Sequence, residues 1–146
     1  VLLRLMPDQI TRYWEDISSA MVAAVPPLGK VDQAGLNNLL EAFLLEDLQA
    51  WILFEDKDGV AIIYALAVTK EWIDIGTKDT SLLIYALWGY SLVPDYLWNE
   101  GLETLKKFAQ DRKCSRICAF SEVPRIIEIT KNLGWKTETR LLTLEV

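Results

Sequence analysis

The stretch from Tyr85 to Glu103, YALWGYSLVPDYLWNEGLE, places an apolar run directly before an amphipathic one and sets Asp95, Glu100 and Gly101 around the junction. A strand that runs into a helix presents unpaired N–H groups and the positive end of the helix dipole, which suit a phosphate or another anion. Here the first helical turns carry two carboxylates, and no lysine or arginine stands between Lys78 and Lys106. Those carboxylates have two readings. They cap a soluble helix start, or they occupy the place of the anion itself.

Proton transfer has few candidates. The chain contains no histidine, which excludes Ser-His and Cys-His nucleophile pairs and histidine-ligated metals and leaves carboxylates, tyrosines, lysines or bound water. Glu122 and Glu71 each follow a short apolar segment and are carboxylates at expected strand ends; the plainer reading of both is a solvated turn residue. Cys114 and Cys118 have a C-x3-C spacing without a second pair or a histidine. That fits reduced thiols of a cytoplasmic protein better than a metal or redox site, and no metal is expected. The aromatic set Tyr85, Trp88, Tyr90, Tyr96 and Trp98 would suit a cleft for an acyl chain, a peptide or a planar ligand, with core packing as the simpler account of most of them. Tyr90 and Tyr96, nearest the junction, are the ones placed to face a cleft.

The elements that must position these groups follow from periodicity. Residues 2 to 6 read as a first strand, ended by Pro7. Asp8 then caps a helix with Ile10, Tyr13, Trp14, Ile17, Met21, Ala24 and Val25 on one stripe, stopped by Pro26 and Pro27. After a turn at Gly29, Asp32 caps a second helix with Leu36, Leu39, Leu40, Phe43 and Leu44. Trp51 to Phe54, the turn Asp56-Lys57-Asp58-Gly59 and Val60 to Val68 predict a hairpin, followed by a loop from Lys70 to Thr80. Ser81 to Val93 is apolar on both faces and predicts a central strand, with Gly89 as its bulge. A helix from Asp95 to about Lys113 leads to a short strand, Arg116 to Phe120, parallel to the central one through a right-handed crossover. A last helix, capped by Ser121, runs from about Glu122 to Asn132, with Val123, Ile126, Ile127 and Thr130 inward and Gly134 at its end. Trp135 to Val146 alternates as one more strand.

With 146 residues, the chain predicts a single domain over 1–146. A formal charge of -6 argues against nucleic acid as a partner, because such affinity comes from cationic side chains on phosphates. The longest apolar run, Ser81 to Pro94, is too short to cross a bilayer, which takes about 20 residues. No membrane partner and no signal peptide are expected.

This order of elements resembles the GNAT acyltransferase superfamily over nearly the whole chain. Its most specific part is CSRICAFSEVPRIIEITKNLGWKTETRLLTLEV, with Asn132-Leu133-Gly134-Trp135 where many members have a residue pair followed by Gly-Phe. The chain also looks similar to short GNAT-like proteins of phages and prophages that share a tryptophan in the hairpin strand, as at Trp51. The resemblance implies an α+β fold of three layers: a mixed, mostly antiparallel sheet of about six to seven strands flanked by about four helices. It implies acetyl-CoA or another acyl-CoA, its pantetheine lying against Gly89, Tyr90, Ser91, Leu92 and Val93, and a small-molecule or peptide amine as acceptor. A homodimer is compatible with a strand-rich edge near Val146. The family's diphosphate loop, Arg or Gln followed by x-x-Gly-x-Gly or Ala, has no match in Asp95 to Gly101. Thr130 stands where many active members carry a tyrosine that protonates the departing thiolate, and a threonine hydroxyl is a far weaker acid than a phenol. Two functions follow: a divergent acyltransferase in which the amine attacks the thioester directly, or a noncatalytic module of the same fold that has lost the cofactor site.

Overall fold

The computed structural model describes residues 1–24, 31–139 and 141–146. The element order is β1 (Leu2–Arg4), α1 (Pro7–Arg12), α2 (Trp14–Ala24), α3 (Gln33–Leu44), β2 (Leu48–Lys57), β3 (Val60–Ile73), β4 (Thr80–Gly89), α4 (Asp95–Asp111), β5 (Arg116–Ala119) and α5 (Pro124–Asn132). The strands form one five-stranded sheet in sequential order, antiparallel except for the parallel pair β4–β5. The mixed sheet with helices on both faces matches the expected α+β class.

Local chemistry accounts for most boundaries. Pro7 opens α1 behind Met6, whose N–H donates to the Gln9 side chain at 2.8 Å, so the cap is not at Asp8 as the sequence predicts; Asp8 instead supplies a first-turn carboxylate. The single expected helix divides at Tyr13. Asp32 caps α3 as expected, accepting from the Gly35 N–H at 2.8 Å. Asp58 and Gly59 both have positive φ, 54° and 81°, the shape of a tight hairpin turn that follows strand twist. β3 runs on to Ile73, through Lys70 to Trp72, which the polar sequence predicts as loop. Pairing with β4, from Glu71 opposite Leu82 to Ile73 opposite Thr80, overrides local propensity. The Val25 end of the first stripe, the Pro26-Pro27 stop, the Gly29 turn and Arg140 lie outside the described residues.

Two layers of side chains clamp the sheet. On one face α1, α2 and α3 deliver Ile10, Ile17, Met21 and Phe43 onto Leu48, Ala50, Leu66, Val68 and Ala86. On the other, α4 packs Leu105 and Ala109 against Trp51, Ala67 and Leu82, and Leu97 against Leu53, Tyr64 and Ala65. Each fully buried large aliphatic or aromatic side chain contributes about 1.5–3 kcal/mol. A buried polar chain crosses the second face: Trp51 Nε1 donates to Thr69 Oγ1 at 2.9 Å, and Thr69 Oγ1 donates to Gln49 Oε1 at 2.8 Å.

The expected last strand does not form. Residues 135–139 and 141–146 have no regular secondary structure and no ladder with β5, so the sheet has five strands rather than six or seven. Alternation gives a segment the propensity for a strand, but a strand also needs an edge at the right place and direction. Leu142 and Leu144 are each 88% exposed.

Candidate functional site

Where β4 leaves β5, the sheet opens. The parallel ladder runs from Ser81 opposite Arg116 to Ile84 opposite Ala119 and stops there. The next residue, Tyr85, is skipped in the β3–β4 register, since Val68 pairs with Ala86 and Thr69 with Ile84. Tyr85 is therefore the bulge, with Tyr85 and Ala86 both on the α1–α3 face and Leu87 back on the α4 face. This corrects the expected position at Gly89, which instead stays in register opposite Ala65. A glycine weakens a strand without needing to bulge, whereas a bulge bends the chain at the point where pairing with β5 must end.

Beyond the bulge one arm continues as Ala86 to Gly89, still paired to β3, while the other, Phe120 to Val123, leads into α5. The Tyr90 N–H donates to the Tyr64 carbonyl at 2.9 Å, on the β3 side. Strand alternation then turns the N–H groups of Leu87 and Gly89 to the open side. A methyl group added at Gly89 would meet only the Ser91 carbonyl at 3.6 Å, so this stretch of backbone is accessible. Tyr90, Ser91 and Leu92 are exposed, whereas Val93 packs with Leu53 and Leu97. Burial, and then the Asp16 carboxylate on α2, push the Tyr90 phenol up. Burial alone does so at Tyr85.

At the foot of this opening lies the start of α4. Pro94 is its N-cap and supplies no side-chain cap; its carbonyl accepts from the Leu97 N–H at 3.0 Å and the Trp98 N–H at 3.3 Å, which leaves the N–H groups of Asp95 and Tyr96 for solvent or a ligand. A cavity of about 160 Å³ sits there, lined by Asp95, Trp98 and Asn99 of α4 and by Ile129, Asn132 and Leu133 at the end of α5. Trp98 Nε1 is buried without a hydrogen-bond partner among the described residues. The N–H groups of an uncapped helix start suit an anion, and the Asp95 carboxylate in the same turn opposes one.

Glu100 is elsewhere. Its carboxylate lies 3.0 Å from the Val1 nitrogen, so of the two acids only Asp95 borders the cavity. Gly101 is buried against Leu53, whose Cδ1 would lie 3.6 Å from an added methyl; it serves close packing of helix on sheet. On the hairpin side of α4, a cluster without a counterpart in the sequence reading ties the helix down. Tyr96 Oη donates to Glu55 Oε1 at 2.6 Å, Tyr64 Oη donates to Glu55 Oε2 at 3.2 Å, and Lys57 Nζ lies 3.4 Å from the same oxygen. The Tyr96 hydrogen bond, with smaller help from Tyr64 and Lys57, holds the Glu55 carboxyl below its usual range. The only signal for it was Tyr96 itself, since its partner is 41 residues away.

The remaining sequence candidates separate. Glu71 lies inside β3 opposite Leu82, toward the far end of the sheet from Gly89, and meets Arg112 at 3.4 Å. Glu122 is exposed on the second arm of the opening. Thr130 lies on the α5 turn that borders the cavity, and its hydroxyl bonds the carbonyls of Ile126 at 2.9 Å and Ile127 at 3.0 Å. Cys114 and Cys118 are free thiols pushed up chiefly by burial. Among the described residues no group of three or more His, Cys, Asp or Glu could hold a metal, and no helix is long and apolar enough to cross a membrane.

No family model and no curated protein matches the chain. Solved structures do. A probable acetyltransferase superposes with a TM-score of 0.70 at 7% identity, over 100% of this chain and 97% of that one. A predicted acetyltransferase from Clostridium acetobutylicum, solved with acetyl-CoA, gives 0.67 at 14% identity, over 99% and 95%. The aminoglycoside N-acetyltransferase AAC(6')-Iy, solved with CoA, gives 0.61 at 13% identity, over 100% and 98%. At these identities the likeness concerns architecture: the chain has the fold of the GNAT acetyltransferases.

Proposed function

We propose that this protein, acting as one unit over residues 1–146 in the cytoplasm, binds an acyl-CoA in the opening between β4 and β5 and transfers its acyl group to an amine. The observation that carries the reading is the end of the β4–β5 ladder at Ile84 and Ala119, one residue before the Tyr85 bulge. It leaves a free strand edge at Leu87 and Gly89 for the amide groups of a pantetheine, with Gly89, Tyr90, Ser91, Leu92 and Val93 along that arm. The uncapped α4 start would hold the diphosphate. Bound there, acyl-CoA supplies an activated thioester. An amine could attack the acyl carbon of such a thioester, with CoA as the leaving group and the amine's proton passing to solvent or a base. The chain's part is to orient the two reactants. Glu122 is the candidate base, and Thr130 the group standing where a stronger acid would be.

Support for a small amine as acceptor comes from similar structures such as the aminoglycoside acetyltransferase. Asp95 favours the second reading, a noncatalytic module, because it puts a negative charge where CoA phosphates would lie. Calorimetric titration with acetyl-CoA and desulfo-CoA separates the two. Micromolar binding is the expected result, and no heat at millimolar ligand would leave only the module.

A further inference from the structure

One carboxylate reaches both ends of the loop that borders the opening. The loop, residues 90–94, joins the free edge of β4 to the start of α4. At its first residue the Tyr90 N–H donates to the Tyr64 carbonyl at 2.9 Å. Tyr64 is skipped between the Leu53–Ala65 and Phe54–Ile63 pairs, so it is a bulge of β3 that sets its ring beside Ala65 on the α4 face. Its hydroxyl donates to Glu55 Oε2 at 3.2 Å. Just past the loop, the Tyr96 hydroxyl donates to Glu55 Oε1 at 2.6 Å. Each oxygen of Glu55 thus holds one end: Oε2 the tyrosine that carries Tyr90, Oε1 the first turn of α4.

Packing does not supply this hold. Leu97, Leu105 and Ala109 seat α4 on the sheet, and Val93 packs with Leu97 and Tyr64. Those contacts fix the helix as a body, but Asp95 and Tyr96, which carry the N–H groups free for a ligand, stand at its frayable end behind a cap that offers no side chain. Ser91 and Leu92 are exposed, so the loop takes its shape from its two ends. Tyr96 is 53% exposed; its ring buries little, and its anchor is a charge-assisted hydrogen bond. Lys57 Nζ, 3.4 Å from Glu55 Oε2, favours the ionised carboxylate that accepts both phenols.

We infer that Glu55 is a positioning residue for the opening: by holding both ends of residues 90–94 it fixes the distance between the strand edge offered to pantetheine and the α4 N–H groups offered to the diphosphate. The inference rests on the acyl-CoA reading above. A ligand that reaches from one place to the other is bound best when their spacing is set before it arrives, because ordering the loop then costs nothing on binding.

The test uses the full chain with Glu55→Gln and Tyr96→Phe, and Thr69→Val as a comparison that weakens the sheet without touching Glu55. Gln keeps one acceptor oxygen in place of two, and Phe keeps the ring and loses only the hydroxyl. Without ligand, amide hydrogen exchange followed by NMR should accelerate at Tyr90 and Leu97 in Glu55→Gln, and at Leu97 and Trp98 in Tyr96→Phe. The rise should be at least about fivefold beyond any change at Val68 and Leu82 in the sheet. Calorimetric titration with acetyl-CoA should show affinity at least about fivefold weaker in both variants and unchanged in Thr69→Val. Exchange at those amides equal to wild type, exchange that rises while acetyl-CoA binds as tightly as before, or an equal loss of affinity in Thr69→Val would overturn the inference. Wild-type protein that binds no acetyl-CoA would instead overturn the acyl-CoA reading, and the exchange rates would still decide whether Glu55 holds the loop.

Discussion

Asp95 holds two opposed roles in one turn. Its carboxylate stabilises the start of α4 and repels a phosphate at the same place, each by about 0.3–1 kcal/mol for a surface group at low salt. Asp95→Asn is therefore expected to tighten acyl-CoA binding about two- to fivefold while slightly lowering the melting temperature, read by calorimetry and thermal unfolding on the same samples. Tighter binding without loss of stability would mean that the carboxylate does not act on the helix. Thr69 makes a different test. It is fully buried, and its hydroxyl joins Trp51 Nε1 to Gln49 Oε1. Thr69→Val conserves volume but leaves a buried donor and a buried acceptor unpaired, so urea unfolding should show a loss of about 2 kcal/mol. A change below about half that would mean water reaches the two groups.

At the scale of elements, α4 links the sheet to the opening and is held from both sides. Gly101 sits in its second turn with room for a methyl group against Leu53, and α4 has ordinary helical backbone there. Gly101→Ala should stabilise the protein by about 0.5–1 kcal/mol, through helix propensity alone, and leave acyl-CoA affinity unchanged. A destabilised variant would show that helix and strand cannot accommodate 3.6 Å of ordinary contact. The Glu55 cluster fastens the same helix to the β2–β3 hairpin. Because the carboxyl is held below the ordinary glutamate range, its contribution is present at pH above that range and is lost as pH falls through the lowered folded value. Tyr96→Phe should thus destabilise at neutral pH and have no effect once Glu55 is protonated in both states; a penalty that persists in strong acid would assign it to packing instead. Glu55 was invisible in sequence as a site residue because the turn Asp56-Lys57-Asp58-Gly59 explains the local acidity. Only the pairing of β2 with β3 and the seat of α4 bring Tyr64 and Tyr96 to it.

Across the whole molecule, hydrophobic periodicity together with turn and cap residues determined the order of elements from β1 to α5 apart from the division at Tyr13, the hairpin at Gly59, the Asp32 cap and the parallel crossover into β5. These depend on interactions within a few residues, or on handedness rules that hold for any chain. That Asp95 to Gly101 carries a single glycine was also legible, since it is a matter of which residues follow Pro94. Tertiary structure alone decided three things: the bulge at Tyr85 instead of Gly89, the tie between Glu55 and Tyr96, and the absence of a ladder for residues 141–146. The reason is common to all three. A strand's register and the existence of its partner are set by contacts between segments far apart in the chain, where a shift of one residue turns every side chain to the opposite face, and no local pattern carries that information.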